Sequence, residues 1–490
     1  MKLRTAFYAG VVASFATTAP VLAQEVVIAI GSEPTTLDPQ LREDGGERAV
    51  NDNIFETLMV RQADGSLEPG LAASVPTQVA ADQWEVKLRD GISFHNGEPF
   101  NADAVVYSVN RIIDPEFNSE QASFFASITG VEKVDDLTVH INTNGADPIL
   151  PARLYWMKMV PPGAGESEDF AENPVGTGPY KFIEWSRGTE ITLGVNEDYW
   201  GEAPEIKNVN FRFISEFGTR LSSLLSGEVD LMTNLLPEFV AQVPQAKSVS
   251  GLELPIIILD ADEGPTADVR VRQALNMAVD KEALAEALYA GYADVAQGQL
   301  MAPSFFGFNP DIPGYAYDPE GARALLAEAG AEGVEIELVG TSGRWLKDRE
   351  VVEVVAEYWS EIGVTPNVRI FEFGEYLNRL FDRETRADSI FVVNSNELLD
   401  ADRPLSAYYH MNGVGSSNTD ADMAAMIDAA RTETDVAKRE TLYHDVLQRA
   451  YDEAYFLFLL NINDVYGASE RLDWEPRVDA KILVSTMSVD

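Results

Sequence analysis

Four histidines, His95, His140, His410 and His444, are scattered along the chain. They form no HExxH pair that could anchor a metal, and His140 alternates within a strand pattern that gives it a structural role. There is no GxSxG elbow for a serine nucleophile, and no cysteine at all. Disulfides, thiolate metal sites and cysteine nucleophiles are therefore excluded. Acidic pairs abound, but 80 Asp and Glu residues make such pairs inevitable by chance. Asp260, Asp262 and Glu263 read as solvated surface, and no EF-hand spacing occurs. These residue types and spacings point away from catalysis; no cofactor and no resident metal are expected.

One glycine-rich stretch, "NPVGTGPYKFIEW" (173–185), raises the question of a phosphate cradle. Phosphate binding requires a glycine loop that opens a helix, with Lys-Ser/Thr or a third glycine behind it. Here Gly176 and Gly178 run into Pro179 and then "YKFIEW", which alternates like a strand. No helix N-terminus is offered to an anion.

The positioning elements are legible from periodicity. "EVVIAIG" (25–31), "QWEVKLRDGISF" (83–94), "LTVHIN" (137–142), "YKFIEW", "EITLGV" and "VNFRFI" (209–214) alternate as strands between Gly, Asp, Asn and Pro turns. Helical spacing dominates later. In "DPEGARALLAEAG", Asp318 caps, Pro319 opens the first turn and Gly330 ends the helix. "VEIEL" (334–338), the loop "VGTSGRWLKD", the helix "REVVEVVAEYWSEIG" and the strand "NVRIFEF" form a βαβ unit with parallel strands. In that helix Val351, Val354, Val355, Tyr358 and Ile362 form a core-facing stripe. A further strand, "SIFVVN" (389–394), leads into "SNELLDADRP". Ligands of open α/β sheets bind beyond the carboxyl ends of strands. Both of these loops, with "GSEPTTLDP" after the first strand, are expected to converge on one crevice.

The start, "MKLRTAFYAGVVASFATTAPVLAQ", has a basic n-region at Lys2 and Arg4, an apolar stretch and small residues before Ala23. It reads as a secretory signal peptide over residues 1–23, too short for a membrane span. With no cysteine after the cleavage site, no lipid anchor is expected, so the mature protein should be free in a periplasm-like space. The rest of the 490-residue chain is too long for one core, and its 46% hydrophobic content is ordinary for a globular protein. A formal charge of −44 repels nucleic acid and anionic lipid, and favours solubility in a salty medium.

Several blocks, in order and spacing, carry a resemblance: "EPTTLDP" (33–39), "WEVKLRDGISFHNGEPFNADAVVYSVNR" (84–111), "NPVGTGPYKFIEW" with "NEDYWG", "LLSGEVDL", "VRQALNMAVDKEAL" and "YDPEGARALLAEAG". From about residue 26 to the C-terminus the chain resembles the peptide- and nickel-type (family 5) extracellular solute-binding proteins of ABC transporters, in pattern the dipeptide-, oligopeptide- and glutathione-binding branches. The resemblance implies an α/β, two-lobed, periplasmic-binding-protein-like clamp with a hinge and an additional inserted small domain. It places the first lobe at 24–66, 187–277 and 468–490, the inserted domain at 67–186 and the second lobe at 278–467. The glycines of "VGTGPY" then serve a tight backbone path out of the inserted domain, and the aromatics pack its boundary.

The same resemblance implies capture of a di- or oligopeptide or peptide-like compound, delivered to a separate permease and ATPase in the inner membrane, by a monomer that is not an enzyme. In peptide-binding members an Asp four residues before a proline pairs with the ligand ammonium; in "DADRP" that is Asp400, with Asp402 its neighbour. Arg403 stands where the family has an acid. Ligand carboxylate falls to an Arg, because a guanidinium offers two parallel donors. Arg344 and Arg349 are the candidates, Arg349 by its spacing to "WSEIG". Trp345 is placed to wall the ligand, and Tyr408 and Tyr409 have weaker cases. A sugar, opine or nickel-chelate ligand is the alternative within this class. A secreted hydrolase, an adhesin and a periplasmic chaperone are the rivals outside it.

Overall fold

The computed structural model describes residues 24–382 and 386–489. The expected signal peptide lies outside the described residues. Two large sheets organise the chain. The first has eight strands, ordered Gln245–Ser250, Leu460–Ala468, Leu231–Met232, Glu25–Ile30, Asn208–Phe213, Glu190–Val195 and Tyr180–Ser186, with Ala293–Val295 added on Leu460–Ala468. The second has five: Thr365–Phe371, Glu335–Thr341, Ser389–Ser395, Glu253–Leu259 and Phe456–Phe458. A third, four-stranded sheet (Thr77–Ala80, Gln83–Lys87, Thr138–Thr143, Ile128–Asp135) packs on helix Ala102–Ile113 around its own apolar cluster, with Val86, Val105, Val109 and Ile141 buried.

The expected βαβ unit is present: Glu335–Thr341 and Thr365–Phe371 pair in parallel across helix Asp348–Glu361. Asp318 accepts from the Gly321 N–H at 2.9 Å, and Gly330 closes that helix at φ 68°. The glycines of the "GTGPY" motif sit against backbone. A Cβ on Gly176 would lie 2.0 Å from the Ile54 carbonyl oxygen, and one on Gly178 at 2.7 Å. Tyr180 is buried in the first lobe's core, with Phe182 and Trp185 packed on it. The motif threads a tight path and offers no anion cradle.

The chain passes between the two large sheets earlier than residue 278. Ile256, Ile257 and Ile258 pair with Val392, Phe391 and Ile390 and with the 456–458 strand, so 253–277 belongs with the second sheet. The return also precedes 468, because Val465–Ala468 already pair with Gln245–Ser248 of the first sheet. The "YKFIEW" strand, expected in the inserted domain, pairs with Glu190–Val195 in the first sheet.

Candidate functional site

Glu335–Thr341 and Ser389–Ser395 run parallel, so the loops after them leave the same edge of the second sheet. Glu253–Leu259 runs antiparallel to Ser389–Ser395 and starts at that edge, Glu253 opposite Ser395. The first loop is fixed by Asp348, only 2% exposed. Its carboxylate accepts the N–H groups of Gly343, Arg344 and Trp345 at 3.1, 2.8 and 3.0 Å. Arg344 is exposed, with its guanidinium 5.5 Å from the Phe373 ring centre. Trp345 is half-buried and meets Phe373, Tyr376 and Phe391 edge-on at 6.0–6.1 Å. Its ring is a packing wedge between the second lobe's two apolar cores.

Arg349 sits away from this edge's loops in its interactions: its side chain is 57% exposed and pairs with Glu353 at 2.7 Å on the surface of its own helix. The second loop carries the expected ammonium partner, but its carboxylate is already engaged. Asp400, 4% exposed, accepts from the Asp402 N–H at 3.0 Å and the Tyr443 hydroxyl at 3.3 Å, with Arg439 at 3.7 Å. Burial pushes Asp400 above the usual carboxylate range, with Arg439 pulling it back. Asp402 pairs with Arg431 at 3.1 Å and lies 3.9 Å from Arg153. Tyr408 is half-buried and its hydroxyl pushed up by burial. Tyr409 is buried and donates nothing to solvent, its hydroxyl oxygen accepting the Leu300 N–H at 2.9 Å. Arg403, where the family pattern has an acid, pairs with Glu397 and lies 4.9 Å from the Phe124 ring centre. Burial lowers it to about 10.

The third expected loop, 31–39, is held against its own lobe. Thr35 donates to Glu47 at 2.7 Å, Asp38 pairs with Arg111, and Glu33 accepts from Trp185 Nε1 at 2.9 Å. Helix Gly45–Ile54, which follows it, supplies what the loop does not. Its Arg48 guanidinium lies 5.5 Å from the Trp156 ring centre and acts electrostatically on Asp52 and Glu43 and, more weakly, on Asp464. Asp44, its cap, feels Arg344 from the other lobe.

Glu253 and Asp464 stand on the two strands that carry the chain between the sheets. Burial raises the Glu253 carboxyl to about 7, with the Asp464 charge adding and Arg344 opposing. Burial likewise raises Asp464 to about 6, with Arg48 opposing. Neither carboxylate has a hydrogen-bond or ion-pair partner among the described residues, and neither Arg48 nor Arg344 has an ion-pair partner among them. Trp156 is 6% exposed and its Nε1–H has no acceptor among the described residues. By contrast the neighbouring charges are consumed. Lys158 bridges Glu43 at 2.6 Å and Asp52 at 2.9 Å, and Arg61 donates to the Gly65 and Leu398 carbonyls. Glu253, Asp464 and Arg48 are half-buried and Arg344 is exposed, and charges without ion-pair partners that act on one another cluster at functional sites.

One feature of the sequence points to Asp464. Leu460, Ile462, Asp464 and Tyr466 share a strand face, and a lone carboxylate on an otherwise apolar face is out of place. Glu253, as the first residue of a strand, gives no such signal. A surface cavity of about 380 Å³ lies elsewhere, at the far end of the second sheet, and its Asp420 and Arg449 are paired at 2.6 Å. Among the described residues no group of three or more His, Asp or Glu is placed to hold a metal ion, and no helix is long and apolar enough to cross a membrane.

Residues 66–416 match the family model for bacterial extracellular solute-binding proteins, family 5. The dipeptide-binding protein of Escherichia coli K12 is 30% identical over 405 residues, 75% of each chain. The glutathione-binding protein GsiB of Pectobacterium atrosepticum is 27% identical over 487 residues, covering 95% of this chain and 94% of the relative. The structure of HbpA2 from Haemophilus parasuis superposes with a TM-score of 0.86 at 24% identity, over 95% of this chain and 100% of that one.

Proposed function

Because this chain belongs to the family 5 bacterial extracellular solute-binding proteins, the periplasmic binding components of ABC importers, we propose that its cargo is a di- or oligopeptide or a peptide-like compound, held between the two lobes where Glu253, Asp464, Arg48 and Arg344 meet. The protein is a transport component and not an enzyme; it hands its ligand to a membrane permease driven by an ATPase. The observation that carries the proposal is the set of unpaired charges of both signs, contributed by both lobes and by the connecting strands. A peptide offers an ammonium, a carboxylate and a row of amides to such a site. Relatives named for a dipeptide and for glutathione support the same class.

Closure follows from the two-lobe arrangement. Ligand bound to one lobe stabilises the closed form by bridging to the other. Carrying a 1:99 equilibrium to 99:1 needs about 5.5 kcal/mol of preference for the closed form. Main-chain hydrogen bonds can supply much of that without selecting side chains. Export by a signal peptide over residues 1–23, and a mature form free of lipid since the chain has no cysteine, complete the proposal.

Native mass spectrometry of the purified protein, followed by denaturation and identification of what is released, tests the ligand class. A released peptide or amino-acid conjugate is the expected result. A sugar, opine or metal chelate would keep the transport role and overturn the peptide assignment.

A further inference from the structure

Two half-buried carboxylates that feel each other's charge, with no hydrogen-bond partner among the described residues, are eased by a positive group placed between them. Glu253 and Asp464 are in that position, and the protein's own cations do not resolve it. Arg344, on the second lobe, opposes only the charge of Glu253; Arg48, on the first, opposes only that of Asp464. Neither guanidinium reaches ion-pair distance of either acid among the described residues. Tyr289 feels Glu253 but donates its hydroxyl to the Leu346 carbonyl at 3.1 Å. The first lobe holds the complementary deficit: among the described residues the buried Trp156 Nε1–H has no acceptor, and the Arg48 guanidinium over its ring has no ion-pair partner within 4 Å. The strand carboxylates lack a donor and this group lacks an acceptor.

Resting on the peptide reading above, we propose that Glu253 and Asp464 together bind the ligand's ammonium group, while Arg48 and the Trp156 Nε1–H receive a carboxylate or carbonyl oxygen of the same ligand. The ligand class is then an α-ammonium compound with an acceptor close to the amine, as at the N-terminus of a peptide. Asp400 takes a different part. Its oxygens are occupied by the Asp402 N–H, the Tyr443 hydroxyl and Arg439, so it holds the 396–402 loop in shape and leaves ammonium recognition to the strand carboxylates. Because Glu253 and Asp464 lie on the strands that join the lobes, an ammonium placed there relieves their repulsion at the point about which the lobes move.

The test is calorimetric titration of the mature protein with two probes, Ala-Ala and N-acetyl-Ala-Ala, at pH 8. Wild type is expected to bind Ala-Ala and to lose about thirtyfold or more on acetylation, as a charge-assisted pair would. In Glu253→Gln/Asp464→Asn that discrimination collapses to within a few-fold, and it persists in Asp400→Asn. Each single substitution is titrated too, so that a double variant failing to fold still leaves a reading. Discrimination retained in the strand variants and lost in Asp400→Asn overturns the assignment. Equal binding of the two probes by wild type also overturns it while leaving peptide capture standing. Binding of neither probe overturns both.

Discussion

Substituting Glu253 with Gln removes the charge and keeps the shape, which makes the cost of that charge measurable. In the folded protein the carboxyl titrates at about 7, against an ordinary value of 4.5. The folded state therefore holds this proton more tightly than the unfolded state does. That favours folding below about pH 4.5 and is lost as pH rises through about 7. The gap corresponds to about 3 kcal/mol, or about 2 once solvent screening of a half-buried group is taken off. At pH 4 the Gln variant and wild type should be equally stable. At pH 8.5 the variant should be the more stable by about 2–3 kcal/mol, while binding an amine-bearing dipeptide more weakly. Urea unfolding of ligand-free protein at half-unit steps from pH 4 to 8.5 reads this directly, and subtracting the two profiles removes the titration of every distant group. Parallel profiles would refute the reasoning, because they would mean that Glu253 is solvated or paired in the folded protein.

Asp400→Ala strands Arg439 and the Tyr443 hydroxyl in a buried setting and should cost about 3–5 kcal/mol in urea unfolding; a small change would show that the loop does not depend on it. Gly176→Ala drives a Cβ to 2.0 Å from the Ile54 carbonyl oxygen, so backbone must move. A loss of about 1–3 kcal/mol is expected in thermal or urea unfolding, with ligand affinity unchanged. Arg349→Ala removes only an exposed pair with Glu353, and neither dipeptide affinity by calorimetry nor melting temperature should shift.

Much of the architecture was legible locally. Period-two alternation marks Glu25–Ile30, Glu190–Val195 and Asn208–Phe213 because each strand buries one face. Asp318 and Gly330 bracket their helix because capping is a short-range bond. The parallel pairing of Glu335–Thr341 with Thr365–Phe371 followed from one intervening helix. The points where the chain changes sheets were less legible, since Ile256–Ile258 and Val465–Ala468 read as buried strand whichever sheet takes them.

The sequence by itself determined the family, the transport role and the two loops at the carboxyl edge of the second sheet. Only the tertiary structure decided which charges are free. Helix Val436–Asp452 brings Arg439 and Tyr443 against Asp400, and Arg349 pairs with Glu353 one turn along, neither of which the spacing of "DADRP" or "SGRWLKDRE" displays. Glu253, Asp464, Arg48 and Trp156 carry no shared motif, because they come from four distant segments. What makes them a set is desolvation and Coulomb interaction, and those depend on distance through space rather than separation along the chain.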